Sequence, residues 1–319
     1  MVSSVLIVGA GMAGITAGRF LGEAGMEVTL LDKGRAVGGR MATRRLDGGA
    51  GDHGAQHAST RSPEFAAEMA RLVTSGVASE WLRTPSRSHP ERGVEPRYAG
   101  VGGMRRIPEA LAEGLRVQTA VRVDRLDFVD GRVHAIDADG AVVGAADAVV
   151  VTPPVPQLLD LLAASGLERP PDLEAIEYHA SLAVIALLDA PAGIPGGHLA
   201  PDDPVVGWIA DNAHKGTSAR PSVTIHSTPQ FAARHIDGDR EDWTRLLIAA
   251  ADRLHSGVPV ATHSHAWRYA EPTATLDEGA RLIEAPGPVV LAGEVFSGAR
   301  VEGAYLSGRA AAARILEGR

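Results

Sequence analysis

Cysteine is absent from the 319 residues, which excludes disulfides, thiolate catalysis, cysteine-ligated metal clusters and a thioether link to a cofactor. Long apolar runs are absent too. The run Val5 to Val8 is too short for a signal-peptide core or a membrane span, and no other stretch approaches the required length. A cytoplasmic protein without a membrane partner is expected. Basic clusters are missing: the net charge is −8 and the arginines are scattered, so no patch or tail is suited to nucleic acid. Lysine is scarce, with Lys33 and Lys215 the only two, so any lysine chemistry rests on one of them.

What is present starts at the N-terminus. Val5-Leu6-Ile7-Val8 breaks into Gly9-Ala10-Gly11-Met12-Ala13-Gly14 and continues through Ile15, Phe20 and Leu21 with helical spacing. This reads as strand, tight turn and helix. Gly9 permits the turn, Gly11 lets backbone approach a pyrophosphate, Gly14 lets helix and strand pack closely, and the helix N-terminus offers free N–H groups to the anion. A second strand, Glu27 to Asp32, ends in an acid placed to accept from ribose hydroxyls. A dinucleotide is the expected ligand.

Along the chain, Lys33 to Arg40 reads as an extended loop, residues 64 to 82 as a helix with Trp81 at its end, and Thr84 to Pro96 as a loop rich in proline and arginine. A helix over Ile107 to Leu115 precedes strands at Val117 to Val123, Leu126 to Val129 and Val133 to Asp137, read together as a small antiparallel ribbon with a turn at Asp130-Gly131. Ala146 to Thr152 is a continuous apolar strand stopped by Pro153-Pro154, of the kind buried on both faces. Beyond it come a helix from Pro156 to Ala164, strands at Leu182 to Leu188, Val205 to Ala210, Val223 to Ser227 and Ala261 to Tyr269, and a helix from Asp239 to Leu254. Val289 to Ala292 and a helix from Gly303 to Leu316 return to the initial texture. The expected fold is α/β, a Rossmann-like nucleotide domain (1–62, 97–153 and 285–319) with an inserted α+β substrate domain (63–96 and 154–284) built on a mostly antiparallel sheet.

Three features bear on which dinucleotide is bound. In Gly38-Gly39-Arg40, with Thr43 and Arg44 close behind, the glycines lie flat along a pyrophosphate and Arg40 offsets its charge. In Asp52-His53-Gly54-Ala55-Gln56-His57 small residues admit backbone close to a flat ring. Gly293-Glu294, followed by Val301-Glu302-Gly303-Ala304-Tyr305, places a helix start at Gly303 or Ala304 whose amides meet charge developing on a reduced flavin. Together they favour a flavin.

These motifs resemble the flavin-dependent amine-oxidase-like superfamily and, within it, the renalase family. The similarity lies in Gly9 to Gly14, Asp32-Lys33, Gly38 to Thr43 and the turn at 52 to 56, then Asp211-Asn212 with Lys215, the Ser222 to Ser227 strand and Trp267-Arg268-Tyr269. It spans most of the chain. His57 stands where relatives more often carry tyrosine, and Glu294 where aspartate is commoner. The resemblance implies noncovalent FAD, with Ala13, Arg40, Gln56 and His57 at positions matching the family's FAD contacts; Gly9, Gly11, Gly14, Asp32, Lys33, Gly39, Val123, Glu294, Gly303 and Ala304 complete the expected cofactor contacts. It also implies an oxidase that takes hydride from 2- or 6-dihydro isomers of NAD(P), releases NAD(P)+ and reduces O2 to hydrogen peroxide.

Hydride transfer needs positioning more than acid–base chemistry. Lys215 and His53 are the candidates to assist it, each with a plain structural role as the alternative. Trp208, Asn212, His226, Trp267, Tyr269 and Tyr305 are candidates to contact the nicotinamide substrate. His263-x-His265 aligns two imidazoles on one strand face without a third ligand, so no metal is expected. An aromatic content of 4% is low for an enzyme that cages an amine between two rings. An amine oxidase or desaturase-like dehydrogenase, and a noncatalytic flavin- or nucleotide-binding protein, stay open as alternatives; the oligomeric state is not indicated.

Overall fold

The N-terminal run folds as its spacing predicts, into strand Ser4–Val8, helix Met12–Glu23 and strand Glu27–Asp32. The structure is a computed structural model that describes residues 2–85, 91 and 93–318. It divides into two compact units, Met1–Gly39 with Pro108–Glu177 and Pro272–Arg319, and Arg40–Ile107 with Tyr178–Glu271.

The first unit is built on a six-stranded sheet in the order Arg281–Ile283, Val289–Leu291, Ala148–Val151, Ser4–Val8, Glu27–Asp32, Arg116–Thr119. All neighbours run parallel except the antiparallel edge strand Arg281–Ile283. Ala148–Val151 is buried along its whole length, as expected for a strand covered on both faces. The order reverses between Ser4–Val8 and Ala148–Val151, and at such a switch the carboxyl ends of parallel strands open a ligand crevice. Glycine is required at position 14, where a Cβ would stand 2.0 Å from the Gly9 carbonyl oxygen. Helix Met12–Glu23 packs on the C-terminal helix Val301–Glu317 at Gly308, where a Cβ would stand 2.3 Å from the Ala13 carbonyl oxygen.

Three expectations about this unit are corrected. The segment expected as a ribbon strand from Val117 is Arg116–Thr119, paired parallel to Glu27–Asp32; the chain then turns at Ala120 (φ 57°), and Val121 N donates to Asp32 O at 2.9 Å. The ribbon is instead Arg125–Val129, Arg132–Ile136 and Val142–Ala146, with Asp130 and Gly131 (φ 51° and 74°) forming the two-residue turn. Residues 154–177 and 272–284, expected in the substrate domain, belong here. The apolar face of helix Val155–Ala164 is buried, Ser165 Oγ accepts from Leu126 N at 2.8 Å, and Leu276 N donates to Val295 O at 2.7 Å.

The second unit carries a five-stranded sheet in the order His198–Leu199, Val206–Asp211, Ser222–Ser227, Tyr178–Leu188, Pro259–Pro272. Leu182, Val184, Val223, Ile225, Phe231, Trp243 and Leu247 form its core under helices Pro229–His235 and Arg240–Ala251. Thr228 and Asp239 cap these helices by accepting from Phe231 N at 3.1 Å and Glu241 N at 2.8 Å. Residues 40–62 and 97–107, expected in the nucleotide domain, belong to this unit. Hairpin Thr43–Leu46/Gly49–Asp52 lies so close to the sheet that a Cβ at Gly49 would meet Leu187 at 2.5 Å and one at Gly51 would meet Ile185 at 2.8 Å.

Trp81 is likewise not at a helix end. The helix stops at Thr74, and Trp81 lies on strand Ala78–Pro85, paired with Val94–Gly100. Thr84, Pro85 and residues 94–96, expected as loop, join this ladder; the remainder of that loop, 86–90 and 92, lies outside the described residues. The register shifts between Glu80 and Leu82, making Trp81 the extra residue of a bulge. A second shift between Val206 and Trp208 puts Trp208 beside another. Bulges re-aim side chains.

Candidate active site

In the first unit the predicted nucleotide contacts gather at the carboxyl edge of the parallel sheet. Gly11 caps helix Met12–Glu23 without a side-chain hydrogen bond, and a Cβ there would meet nothing within 4 Å. Uncapped amides facing open space fit a pyrophosphate. Gly38 N donates to Ala10 O at 2.8 Å, and Gly39 passes close enough that its Cβ would stand 3.6 Å from Gly11 Cα, so the two glycine segments form one cradle. Asp32 accepts from Ala10 N and Gly34 N, each at 2.6 Å. It knits the loop, and each carboxylate oxygen retains a second acceptor site. Lys33 donates to Gln157 Oε1 at 2.8 Å, and burial pushes its pKa down. Val123 is half-buried two residues past the Val121–Asp32 contact.

The C-terminal helix begins at Val301, earlier than Gly303 or Ala304. Ala304 N is already spent on Arg300 O at 3.1 Å, so the first-turn amides are those of residues 301–303. Gly303 serves its own loop, since a Cβ there would stand 1.8 Å from Gly298 O. Glu294 is buried in the turn after Val289–Leu291, where Gly293 N donates to Ser307 Oγ at 2.8 Å, and Tyr305 is buried on the helix.

The second unit holds a buried polar chain. Lys215 Nζ lies 2.9 Å from Asp52 Oδ2, with both side chains 0% exposed. Asp52 Oδ1 also accepts from Thr43 Oγ1 at 2.5 Å and Met104 N at 2.9 Å, and Oδ2 from Thr217 Oγ1 at 3.2 Å. Four donors therefore engage this carboxylate. Lys215 donates to Gln56 Oε1 at 2.8 Å, which fixes the amide orientation; Gln56 Nε2 then donates to Asp52 O at 2.5 Å and lies 3.2 Å from His226 Nε2. Burial lowers the Lys215 pKa, Asp52 opposing it, and burial with the Lys215 charge lowers that of His226 to about 4. A neutral His226 accepts from Gln56 through Nε2.

Above this chain four rings close on one another. His57 lies 6.5 Å from Trp81 and 5.9 Å from Trp208, while His198 lies 6.1 Å from Trp81 and 5.0 Å from Trp208. Lys215 Nζ is 5.0 Å from the centroid of the Trp81 ring. Trp81 Nε1, Trp208 Nε1 and His57 Nδ1 are buried and have no hydrogen-bond partner among the described residues. Leaving such a group unpaired costs about 1–3 kcal/mol. Burial, then Arg97, Lys215 and His198, lowers the His57 pKa to about 3.

The other predicted residues lie in different surroundings. His53 stacks on Trp267 at 5.4 Å beside His265 at 4.6 Å, Trp267 Nε1 donates to His53 O at 2.6 Å, and burial with these histidines lowers the His53 pKa to about 3. Tyr269 meets Tyr178 edge-on at 5.8 Å, and Arg40 donates to the Tyr269 and Ala270 carbonyls at 3.3 Å. Asn212 is fully buried and locked to Thr224 at 3.0 Å, a link within the sheet rather than a substrate contact. Among the described residues no group of three or more His, Asp or Glu side chains is arranged to hold a metal. Thr217, Trp81 and His198 carry no motif that marks them as site residues, and Asp52 and Thr43 stand only within glycine-rich motifs; the signal for Asp52 is the scarcity of lysine, since a buried Lys215 requires a carboxylate.

The family model for flavin containing amine oxidoreductase matches residues 77–316, and one for an NAD(P)-binding Rossmann-like domain matches residues 7–72. The chain belongs to the flavin containing amine oxidoreductases. Similar proteins include renalase of Mus musculus, 24% identical over 96% of each chain, and hydroxyneurosporene desaturase of Rubrivivax gelatinosus, 34% identical over 37% of this chain and 23% of that one. Wild-type putrescine oxidase bound to putrescine superposes with a TM-score of 0.70 at 15% identity over 99% of each chain. A fatty acid isomerase from P. acnes gives 0.68 at 14% identity, over 99% and 98%. As a member of this family the protein is a flavoprotein oxidoreductase that binds FAD noncovalently, and the uncapped helix facing open space above Gly11 fits the cofactor's pyrophosphate. No helix among the described residues is long and apolar enough to cross a membrane.

Proposed function

We propose that this amine oxidoreductase is an oxidase of dihydronicotinamide isomers, converting 2- or 6-dihydro-NAD(P) and O2 to NAD(P)+ and hydrogen peroxide. Bound FAD supplies the hydride acceptor. The chain's own task is to hold a flat, uncharged dihydropyridine and to exclude water. The observation that carries the reading is the surroundings of His57, where burial and the neighbouring Arg97 and Lys215 push its pKa down to about 3. The carboxylate beneath, Asp52, is already engaged by four donors, including Lys215 at 2.9 Å. With Asp52 taken up by Lys215 and its other donors, an ammonium substrate finds no unengaged carboxylate in Asp52, whereas a neutral ring needs none. Trp81 and Trp208 supply apolar walls for such a ring. Full-length similarity to renalase supports the same assignment.

The test is anaerobic mixing of the purified flavoprotein with borohydride-generated isomers of NADH and NADPH. Rapid bleaching of the flavin by the isomers, and none by a panel of primary and secondary amines, is the expected result. Rapid bleaching by an amine, with inert isomers, would overturn the proposal.

A further inference from the structure

We propose that hairpin Thr43–Leu46/Gly49–Asp52 and the edge strand Pro259–Pro272 build a binding site for a phosphate-class oxyanion, free or carried by a nucleotide, from Arg44, Arg240, His263 and His265. The site stands apart from the dihydronicotinamide reading, since nothing in it depends on what reduces the flavin. Pro259–Pro272 closes one side of the five-stranded sheet, so its outer flank is open. Alternation along the strand puts His263, His265 and Trp267 on one face, and the His53 ring meets all three, at 6.0, 4.6 and 5.4 Å between centroids. On the hairpin Arg44 pairs with Gly51, two residues before His53, whose N donates to Ala42 O at 3.2 Å; Arg44 and His53 thus share the face turned to the sheet, where a Cβ at Gly51 would meet Ile185. Arg240 reaches over the edge from the start of helix Arg240–Ala251 and donates to Ser264 O, between the two histidines, at 3.4 Å. Arg44 and Arg240 are exposed and the two histidines half-buried, so an anion reaches them from solvent.

The arginines of this region are of two kinds. Arg245 and Arg268 are held by Asp242 at 2.7 Å and by Asp237 at 2.6 Å. Arg44, Arg240 and Arg105 have no ion pair among the described residues, and Arg105 Nε and His53 Nδ1 are buried without a hydrogen-bond partner. Burial, then Arg44 and Arg240, lowers the His263 pKa, and burial, then His263 and Arg240, lowers that of His265. The field of two unpaired guanidiniums therefore falls on one imidazole, and the same field opposes a metal cation there. A guanidinium fork matches two oxygens of a tetrahedral anion. A single carboxylate satisfies one fork and leaves the other, so two forks beside an imidazole select a dianion with several acceptor oxygens.

The probe is inorganic pyrophosphate, titrated calorimetrically at fixed ionic strength into the FAD-loaded protein, with acetate as the control anion. Bound FAD keeps the probe out of the flavin's own pyrophosphate cradle. Saturable binding of pyrophosphate and none of acetate is expected, and Arg44→Gln and Arg240→Gln should each weaken pyrophosphate by about tenfold. Both side chains are exposed, so the unfolding midpoints of these variants should match wild type. Arg45→Gln, one residue along and on the opposite face of the hairpin, should leave the affinity unchanged within about twofold. No saturable binding, equal uptake of acetate, or unchanged affinity in both Arg44→Gln and Arg240→Gln would overturn the proposal. Repeating the titration with NAD+ at saturation separates the two sources: loss of pyrophosphate binding assigns the site to the phosphates of a nucleotide, and unchanged binding assigns it to a free anion. Arginine-dependent pyrophosphate binding, in a protein whose flavin the isomers fail to reduce, would sustain this site and defeat the substrate assignment. Rapid isomer oxidation without pyrophosphate binding would do the reverse.

Discussion

The two units build their candidate sites from different parts of the chain. The parallel-sheet unit works through backbone: the Gly11 to Gly14 amides, the Gly38 and Gly39 segment and the carboxyl ends of strands, with Asp32 bracing the loop at 2.6 Å. The antiparallel-sheet unit works through side chains drawn from five separated places, Asp52 and Gln56, Trp81, His198, Trp208 and Lys215. A backbone cradle tolerates only glycine where chains touch but is indifferent to most side chains. A side-chain network is the reverse: every member is needed, because each buried polar group depends on its partner.

The largest effect expected from breaking this contrast is at Lys215. Lys215→Met leaves the Asp52 carboxylate buried without its counter-ion, and stability is expected to fall by about 3–5 kcal/mol; Lys215→Met with Asp52→Leu should recover most of it, as measured by denaturant unfolding of the FAD-loaded proteins. The backbone counterpart is Gly14→Ala, whose Cβ would stand 2.0 Å from Gly9 O. It is expected to cost about 1–3 kcal/mol through forced backbone shifts and to weaken FAD retention. Gly11→Ala meets no protein atom within 4 Å. Its unfolding midpoint without cofactor should match wild type within about 0.5 kcal/mol, with FAD retention lost in gel filtration.

Acid should act first on the side-chain unit. His53, His57 and His226 have folded pKa values of about 3, 3 and 4 against an ordinary 6.5. Their depressed values make the neutral form native, so the unfolded chain binds more protons below pH 6.5. Stability is fully present above that pH and is lost as pH falls toward 3, by up to about 1.4 kcal/mol per pH unit for each histidine. Unfolding free energies between pH 7 and pH 4 would show this slope; a flat profile would contradict it. His57→Phe should lower the slope by the share of one histidine.

The same contrast explains what was legible in the sequence. Gly9, Gly11, Gly14 and Asp32 lie within one strand–helix–strand stretch, and their spacing alone carries the turn, the close contact and the acid. Trp81 and Trp208 lie on strands far apart in sequence, each beside a bulge that no hydropathy pattern marks, so their meeting through His57 and His198 is made only in the folded unit. The helical period over 64 to 82 hid the strand that carries Trp81. The boundary after Gly39 was missed because Arg40 to Asp52 shares its glycine-rich texture with the cradle, while Gly49 and Gly51 are small for a different reason, their contact with Leu187 and Ile185. Asn212 shows the converse: it resembles a substrate contact in sequence, yet its amide is tied to Thr224.

The most direct test of the central claim, that the ring-walled interior, its Asp52 carboxylate already engaged, accepts a neutral dihydropyridine and rejects an ammonium, is the anaerobic rate of flavin bleaching by the two substrate classes. The account predicts fast bleaching by 2- and 6-dihydro isomers of NAD(P), with NAD(P)+ as product, and no fast phase with amines at any pH where they carry charge. Fast bleaching by a protonated amine, with the isomers inert, would contradict it.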